Sequence, residues 1–189
     1  MAILEGEKVL LRAMEPYDLD NLYMWENDPE NWFVSQTRAP YSKHVLSQFI
    51  DESHKDIYEI RQMRLMITLK NSGETNPKNP GVNERLTIGA IDLFDFDPYH
   101  RRAGIGILVA RKEVRRQGIA SEALALLIDY SFRVLGLHQL YCNVAQGNEA
   151  SCNLFIKSGF QITGEKRDWL KGDRKWTNEY LLQLVNPKD

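Results

Sequence analysis

Arg111-Lys-Glu-Val-Arg-Arg-Gln-Gly-Ile-Ala-Ser-Glu-Ala-Leu-Ala-Leu-Leu-Ile-Asp-Tyr130 joins two patterns of different period. Ahead of it, Gly104-Ile-Gly-Ile-Leu-Val-Ala110 is a short apolar run with the length and β-branched content of a strand. From its middle onward, apolar residues recur at Ala120, Ala123, Leu124, Leu127, Ile128 and Leu135, the spacing of one helix face. The junction, Arg115-Arg-Gln-Gly-Ile-Ala120, is basic and holds a glycine where the helix begins. The first turn of a helix leaves N–H groups unpaired, and the helix dipole makes that end positive. A strand feeding a helix through such a turn therefore suits a phosphate or diphosphate. Gly118 lets the backbone approach the anion where a Cβ would obstruct it. A solvated basic turn is the plainer alternative. There is no Walker A motif, and Gly104-Ile-Gly106 lacks the third glycine of a dinucleotide fingerprint. Both absences point away from nucleoside triphosphates and nicotinamide cofactors.

Outward from this stretch, 189 residues suit one domain, 1–189, large enough for a proper core. A hydrophobic content of 43% and a charged content of 26% are those of a globular protein. A net charge of -2 gives no basis for broad nucleic-acid binding, which needs an excess of Lys and Arg. No apolar run reaches the length of a membrane span, and the first residues do not resemble a signal peptide. Cys142 and Cys152 are then expected as reduced thiols in a cytoplasm, and no metal site is read.

In chain order, Lys8–Arg12 reads as a first strand and Pro16 to about Asn27 as a helix ended by Asp28-Pro29. Asn31–Pro40 lacks a period and is predicted to be a loop carrying Trp32 and Phe33. Ser42 caps a second helix running to Ser53. Arg64–Leu69 is a strand, Asn71–Arg85 a polar connection, and Leu86–Phe94 a strand turned by Asp95-Phe-Asp-Pro98. Gly136 stops the long helix, Gln139–Val144 is a strand, and Asn148 caps a shorter helix ending at Ser158-Gly159. Two last strands begin near Phe160 and Asn178. The alternation predicts an α/β (α+β) domain with a mixed sheet. Exposed edges in the terminal strand pair make a homodimer plausible.

Three blocks carry a resemblance: the apolar strand, the Arg115-x-x-Gly118-x-Ala120 turn with its helix, and Asn148-x-x-Ser151-x-x-Leu154-Phe155-x-x-Ser158-Gly159-Phe160. Together with Leu11-Arg-Ala-Met-Glu-Pro-Tyr-Asp18 and Trp25-x-Asn27-Asp28-Pro29, they make the chain resemble the GNAT N-acetyltransferase superfamily over nearly its whole length. The branch it is most similar to holds ribosomal-protein and spermidine N-acetyltransferases. The resemblance implies a mostly antiparallel sheet flanked by helices, whose middle strands splay apart. It implies acetyl-CoA as cofactor, with the diphosphate on the N–H groups of Arg115, Arg116, Gln117, Gly118, Ile119, Ala120 and Ser121. The pantetheine arm would lie in the splay against Ile107, Leu108 and Val109. Amides around Leu108 would polarise the thioester carbonyl, and stabilising charge in this way often contributes more to catalysis than any other effect. Asn148 matches a position that contacts the arm, although an Asn is also a good helix cap.

The implied reaction is direct attack by a neutral primary amine, either a protein N-terminus or a polyamine-like molecule. Cys142 is more plausibly packing than a nucleophile. A tyrosine commonly stands in this family at the position of Phe155 and protonates the leaving thiolate; Phe155 has no proton to give, though its ring could still line the cofactor arm. A water, Tyr141 or Ser151 could substitute, and Asp92 is expected to face the acceptor cleft as a polar group. The spermidine enzymes carry a glutamate where this chain has Gly104. The alternative to an enzyme is a catalytically weak sensor or assembly module that binds acyl-CoA.

Overall fold

A computed structural model of the protein describes residues 4–35, 37–70, 86–172 and 175–189. One seven-stranded sheet runs through it: β1 (Val9–Ala13), β2 (Met63–Leu69), β3 (Thr87–Asp97), β4 (Arg102–Val109), β5 (Gln139–Ala145), β6 (Gln161–Lys171) and β7 (Trp176–Val185). Their order across the sheet is β1-β2-β3-β4-β5-β7-β6. Every neighbouring pair is antiparallel except β4 and β5, which are parallel. The helices are α1 (Leu19–Glu26), α2 (Pro29–Ser35), α3 (Lys43–Glu52), α4 (Ile57–Ile60), α5 (Ile119–Arg133) and α6 (Glu149–Lys157). The mixed, mostly antiparallel sheet flanked by helices is the expected one.

Strand alternation sorts the side chains into two cores. On one face Met66 and Ala90 meet Leu22 of α1 and Leu46 and Ile50 of α3. On the other, Leu65, Ile67, Ile91 and Ile105 meet Ala123, Leu124 and Leu127 of α5, together with Phe155 of α6. The helical period read from Ala123 to Leu127 is thus a buried stripe, and each such leucine contributes about 1.5–3 kcal/mol. Arg12 locks β1 to the turn before α1: its guanidinium grips both carboxylate oxygens of the buried Asp18 at 2.6 and 2.7 Å and donates to Thr87 at 2.9 Å.

Several boundaries differ from the sequence reading. Pro29 does not merely end a helix; it opens α2, because its fixed φ and missing N–H suit a first helical turn. The segment predicted as a loop from Asn31 is therefore helical to Ser35. Strand β3 runs on to Asp97 through an irregularity at Asp95, whose φ is 49°. The last two strands form one long hairpin. Ser42 does cap α3, accepting from the Val45 N–H at 3.2 Å. The connection Asn71–Arg85 lies outside the described residues.

Candidate active site

Strands β4 and β5 pair only at Arg102–Gly104 against Gln139–Tyr141. Beyond that, β4 continues to Val109 and β5 to Ala145 unpaired with each other, leaving a V-shaped gap. The Ala110 N–H donates to Ile88 O at 2.9 Å, which fixes the phase of the β3–β4 ladder. Ladder direction alternates along an antiparallel strand. Leu108, opposite Ala90, thus turns its amide toward β3, while Ile107 and Val109 turn theirs toward the gap. Arg115 confirms the phase by donating from Nε to Val109 O at 3.0 Å. Around Leu108, the amides open to the gap are therefore those of Ile107 and Val109.

At the mouth of the V, Arg115–Gly118 forms the turn before α5, and Ile119–Ser121 open the helix. Arg116 and Gly118 have φ of 63° and 81°, and alternation of this kind makes successive N–H groups converge on a concavity that suits an anion. Arg116 carries a Cβ in that left-handed region, a local cost of the sort found at working sites. Among the described residues, no acceptor is paired with the N–H groups of Arg116, Gln117, Gly118, Ile119, Ala120 or Ser121. The turn is exposed around Gly118, while Ile119 is buried beneath it and anchors it. Unfilled donors, a positive helix end and an open gap leading away from it fit the diphosphate and arm of a coenzyme.

On the other arm of the V, Asn148 follows β5 and caps α6, its Oδ1 accepting from the Ser151 N–H at 3.2 Å. That cap leaves the amide nitrogen for a further contact. Phe155 is elsewhere. It is 3% exposed and meets Phe160 edge to face at 5.1 Å, so it belongs to the core and not to the lining of the arm. Phe155→Tyr is accordingly expected to lower the melting temperature, because a buried hydroxyl without a partner costs about 1–3 kcal/mol, with no gain in turnover. A variant that melts like the parent and turns over faster would return this position to the chemistry.

Tyr141 stands at the root of the V, opposite Gly104. Its hydroxyl donates to Asp95 at 2.9 Å, and burial followed by that bond pushes its pKa up to about 12. Its proton is thus held by Asp95 and not directed into the gap. Burial, followed by the neighbouring Cys152, pushes the Cys142 thiol up to about 12 as well, which leaves it protonated and unsuited to an acyl-enzyme.

Asp92 lies on the α1–α3 side of the sheet, opposite Gly106 of β4. Its two oxygens are held by Arg64, at 2.7 Å from Nε and 3.1 Å from Nη2. Arg64 also bonds Glu26 of α1 and stacks over Phe49 at 5.2 Å. Burial alone would lower the Arg64 pKa, but the two carboxylates raise it, so this cation is permanent. Gly106 has no side chain, so the β4 backbone lies bare beside this triad. Phe94 covers Gly104: a Cβ there would fall 2.2 Å from that ring, which meets Tyr141 edge to face. Gly104 is required by this ring. Trp32 sits on α2, and its Nε1 donates to Glu26 O at 2.8 Å. Beside Arg64, a 240 Å³ pocket is lined by Met14, Phe49 and Met63, among others.

Lys8, Arg64, Glu26 and Phe94 escaped the sequence reading. Only Gly104 signalled any of them, as a strand glycine that marks a close approach.

Backbone donors at the start of α5, beside a gap between parallel strands, are the arrangement expected of a transferase that binds its acyl donor through a diphosphate. A family profile described as "Acetyltransferase (GNAT) domain" matches residues 8–161, and the chain belongs to that family. It is an acetyl-CoA-dependent N-acetyltransferase, which moves acetyl to an amine. The chain is 30% identical to a spermidine N(1)-acetyltransferase of Escherichia coli (strain K12), over 85% of this chain and 76% of that one. It is 31% identical to an uncharacterized N-acetyltransferase, p20, of Bacillus licheniformis, over 98% and 97%. In fold it resembles a spermidine N-acetyltransferase from Vibrio cholerae in complex with CoA and spermine, with a TM-score of 0.79, 20% identity and coverage of 95% and 96%.

Proposed function

We propose that the acceptor is an α-amine, the N-terminus of a peptide or protein, presented over Gly106 beside Asp92. The observation that carries this is Arg64 lying between Glu26 and Asp92. Two carboxylates less one guanidinium leave a single net negative charge there, enough for one ammonium and poor for a chain of them. Neither carboxylate is free to act as a strong base. An α-amine, with a pKa of about 7.7–8.0, is roughly a tenth neutral at pH 7, whereas an alkylamine near 10.4 is well under about 1% neutral. The α-amine thus needs least help. Bound acetyl-CoA supplies the activated acyl group. Ile107 and Val109 would stabilise the charge developing on its carbonyl oxygen, Arg116–Ser121 would hold the diphosphate, and the Asn148 amide would orient the arm. With no proton to give at Phe155 and the Tyr141 hydroxyl held by Asp95, the leaving thiolate takes its proton from water.

The polyamine reading draws on the name of the Escherichia coli relative. Thiol release measured against peptides, spermidine and spermine, with mass spectrometry to place the acetyl group, separates the two. Peptides are expected to give at least about tenfold the kcat/KM of polyamines, and the reverse order would sink the α-amine reading. CoA binding with no acceptor-dependent thiol release would favour the sensor alternative. The same reading places the enzyme in a cytoplasm, where Cys142 and Cys152 remain free thiols. It also leaves β6, a sheet edge, as the place for a second copy.

A further inference from the structure

The first strand reaches the diphosphate turn. Lys8, one residue before β1, donates from Nζ to Gln117 O at 3.0 Å. Its backbone N–H donates to Glu122 Oε1 at 2.9 Å. The same carboxylate presses on Gly6, where a Cβ would lie 2.0 Å from Glu122 Oε1. Two consequences follow from this geometry. In a trans peptide the C=O and the next N–H point in opposite directions. A Gln117 carbonyl turned to Lys8 therefore turns the Gly118 N–H away from it, toward the open concavity. Glu122, the one acid in the first turn of α5, is also drawn off toward the N-terminal segment and away from the site that would hold an anion.

We propose that Lys8 is a positioning residue for the acetyl donor: it sets the Gln117–Gly118 peptide so that the turn's donors converge on the diphosphate. This rests on the turn being the diphosphate site, and the experiment separates the two claims. Steady-state kinetics are run on the full chain with acetyl-CoA and with S-acetylpantetheine, which has the arm and thioester but no diphosphate. The parent protein is expected to prefer acetyl-CoA strongly in KM; equal KM for both donors would remove the diphosphate site itself. Lys8→Met is expected to raise the KM for acetyl-CoA about tenfold, the low end of what a charge-assisted hydrogen bond contributes, with kcat unchanged. Its KM for S-acetylpantetheine should match that of the parent. Lys8→Arg, which keeps a cationic donor, should recover most of the loss. A parent that discriminates between the donors while Lys8→Met equals it on both would overturn the proposal. So would equal losses on both donors with a lowered melting temperature, since those would mark a merely structural lysine.

Discussion

Gly118→Asp is expected to weaken CoA binding by two to three powers of ten while leaving a folded protein. Two effects act in one direction. Gly118 sits at a φ of 81°, where a residue with a Cβ costs about 1–2 kcal/mol. The new carboxylate would also stand at the concavity, where a charge pair about 4 Å apart at a partly screened site is worth roughly 4 kcal/mol, here repulsive. Lys8 sharpens the effect: its Nζ lies 3.6 Å from where the new Cβ would be, so it would turn to the aspartate and release Gln117 O. Gly118→Asn is the control, since asparagine tolerates the left-handed region and adds no charge. It should keep much of the affinity that the aspartate loses. Calorimetric titration with CoA reads both variants, and an aspartate variant binding as tightly as the parent would leave the turn without a role.

The legibility of this fold follows from which contacts are local. The strand before Arg111, the turn and α5 are adjacent in sequence and interact with one another, so period and glycine placement reveal them. The caps Ser42 and Asn148 act three residues away and are equally readable. What fails depends on distant partners. Leu108 stands out in sequence as the amide donor, but which amides face the gap is decided by pairing with Ile88, some twenty residues away. Tyr141 resembles a free hydroxyl until Asp95 is set against it, and Phe155 resembles a site residue until Phe160 covers it. Pro29 signals the helix it ends more plainly than the one it starts. The gap itself is legible only by resemblance, because nothing in the composition of β4 or β5 says that their pairing stops after Gly104.

Arg64→Met should produce the largest change in acceptor choice. The methionine fills similar volume over Phe49 but leaves Glu26 and Asp92 facing each other without their cation. Their side chains are 19% and 27% exposed, so solvent screens part of the cost, and about 2–3 kcal/mol of stability should be lost at neutral pH. For a domain of this size that is roughly 5–10 °C in Tm. The same freed charge should draw cations: KM for spermidine and spermine is expected to fall about tenfold or more, while that for a peptide N-terminus changes little. One carboxylate also becomes available as a base, so alkylamines should gain in kcat near neutral pH, where so little of them is uncharged. Arg64→Lys keeps the charge but not the two-pronged grip, and should stay close to the parent in acceptor preference while losing some stability. If the methionine variant keeps the parent's KM for spermidine and spermine, the charge of the triad does not select the acceptor.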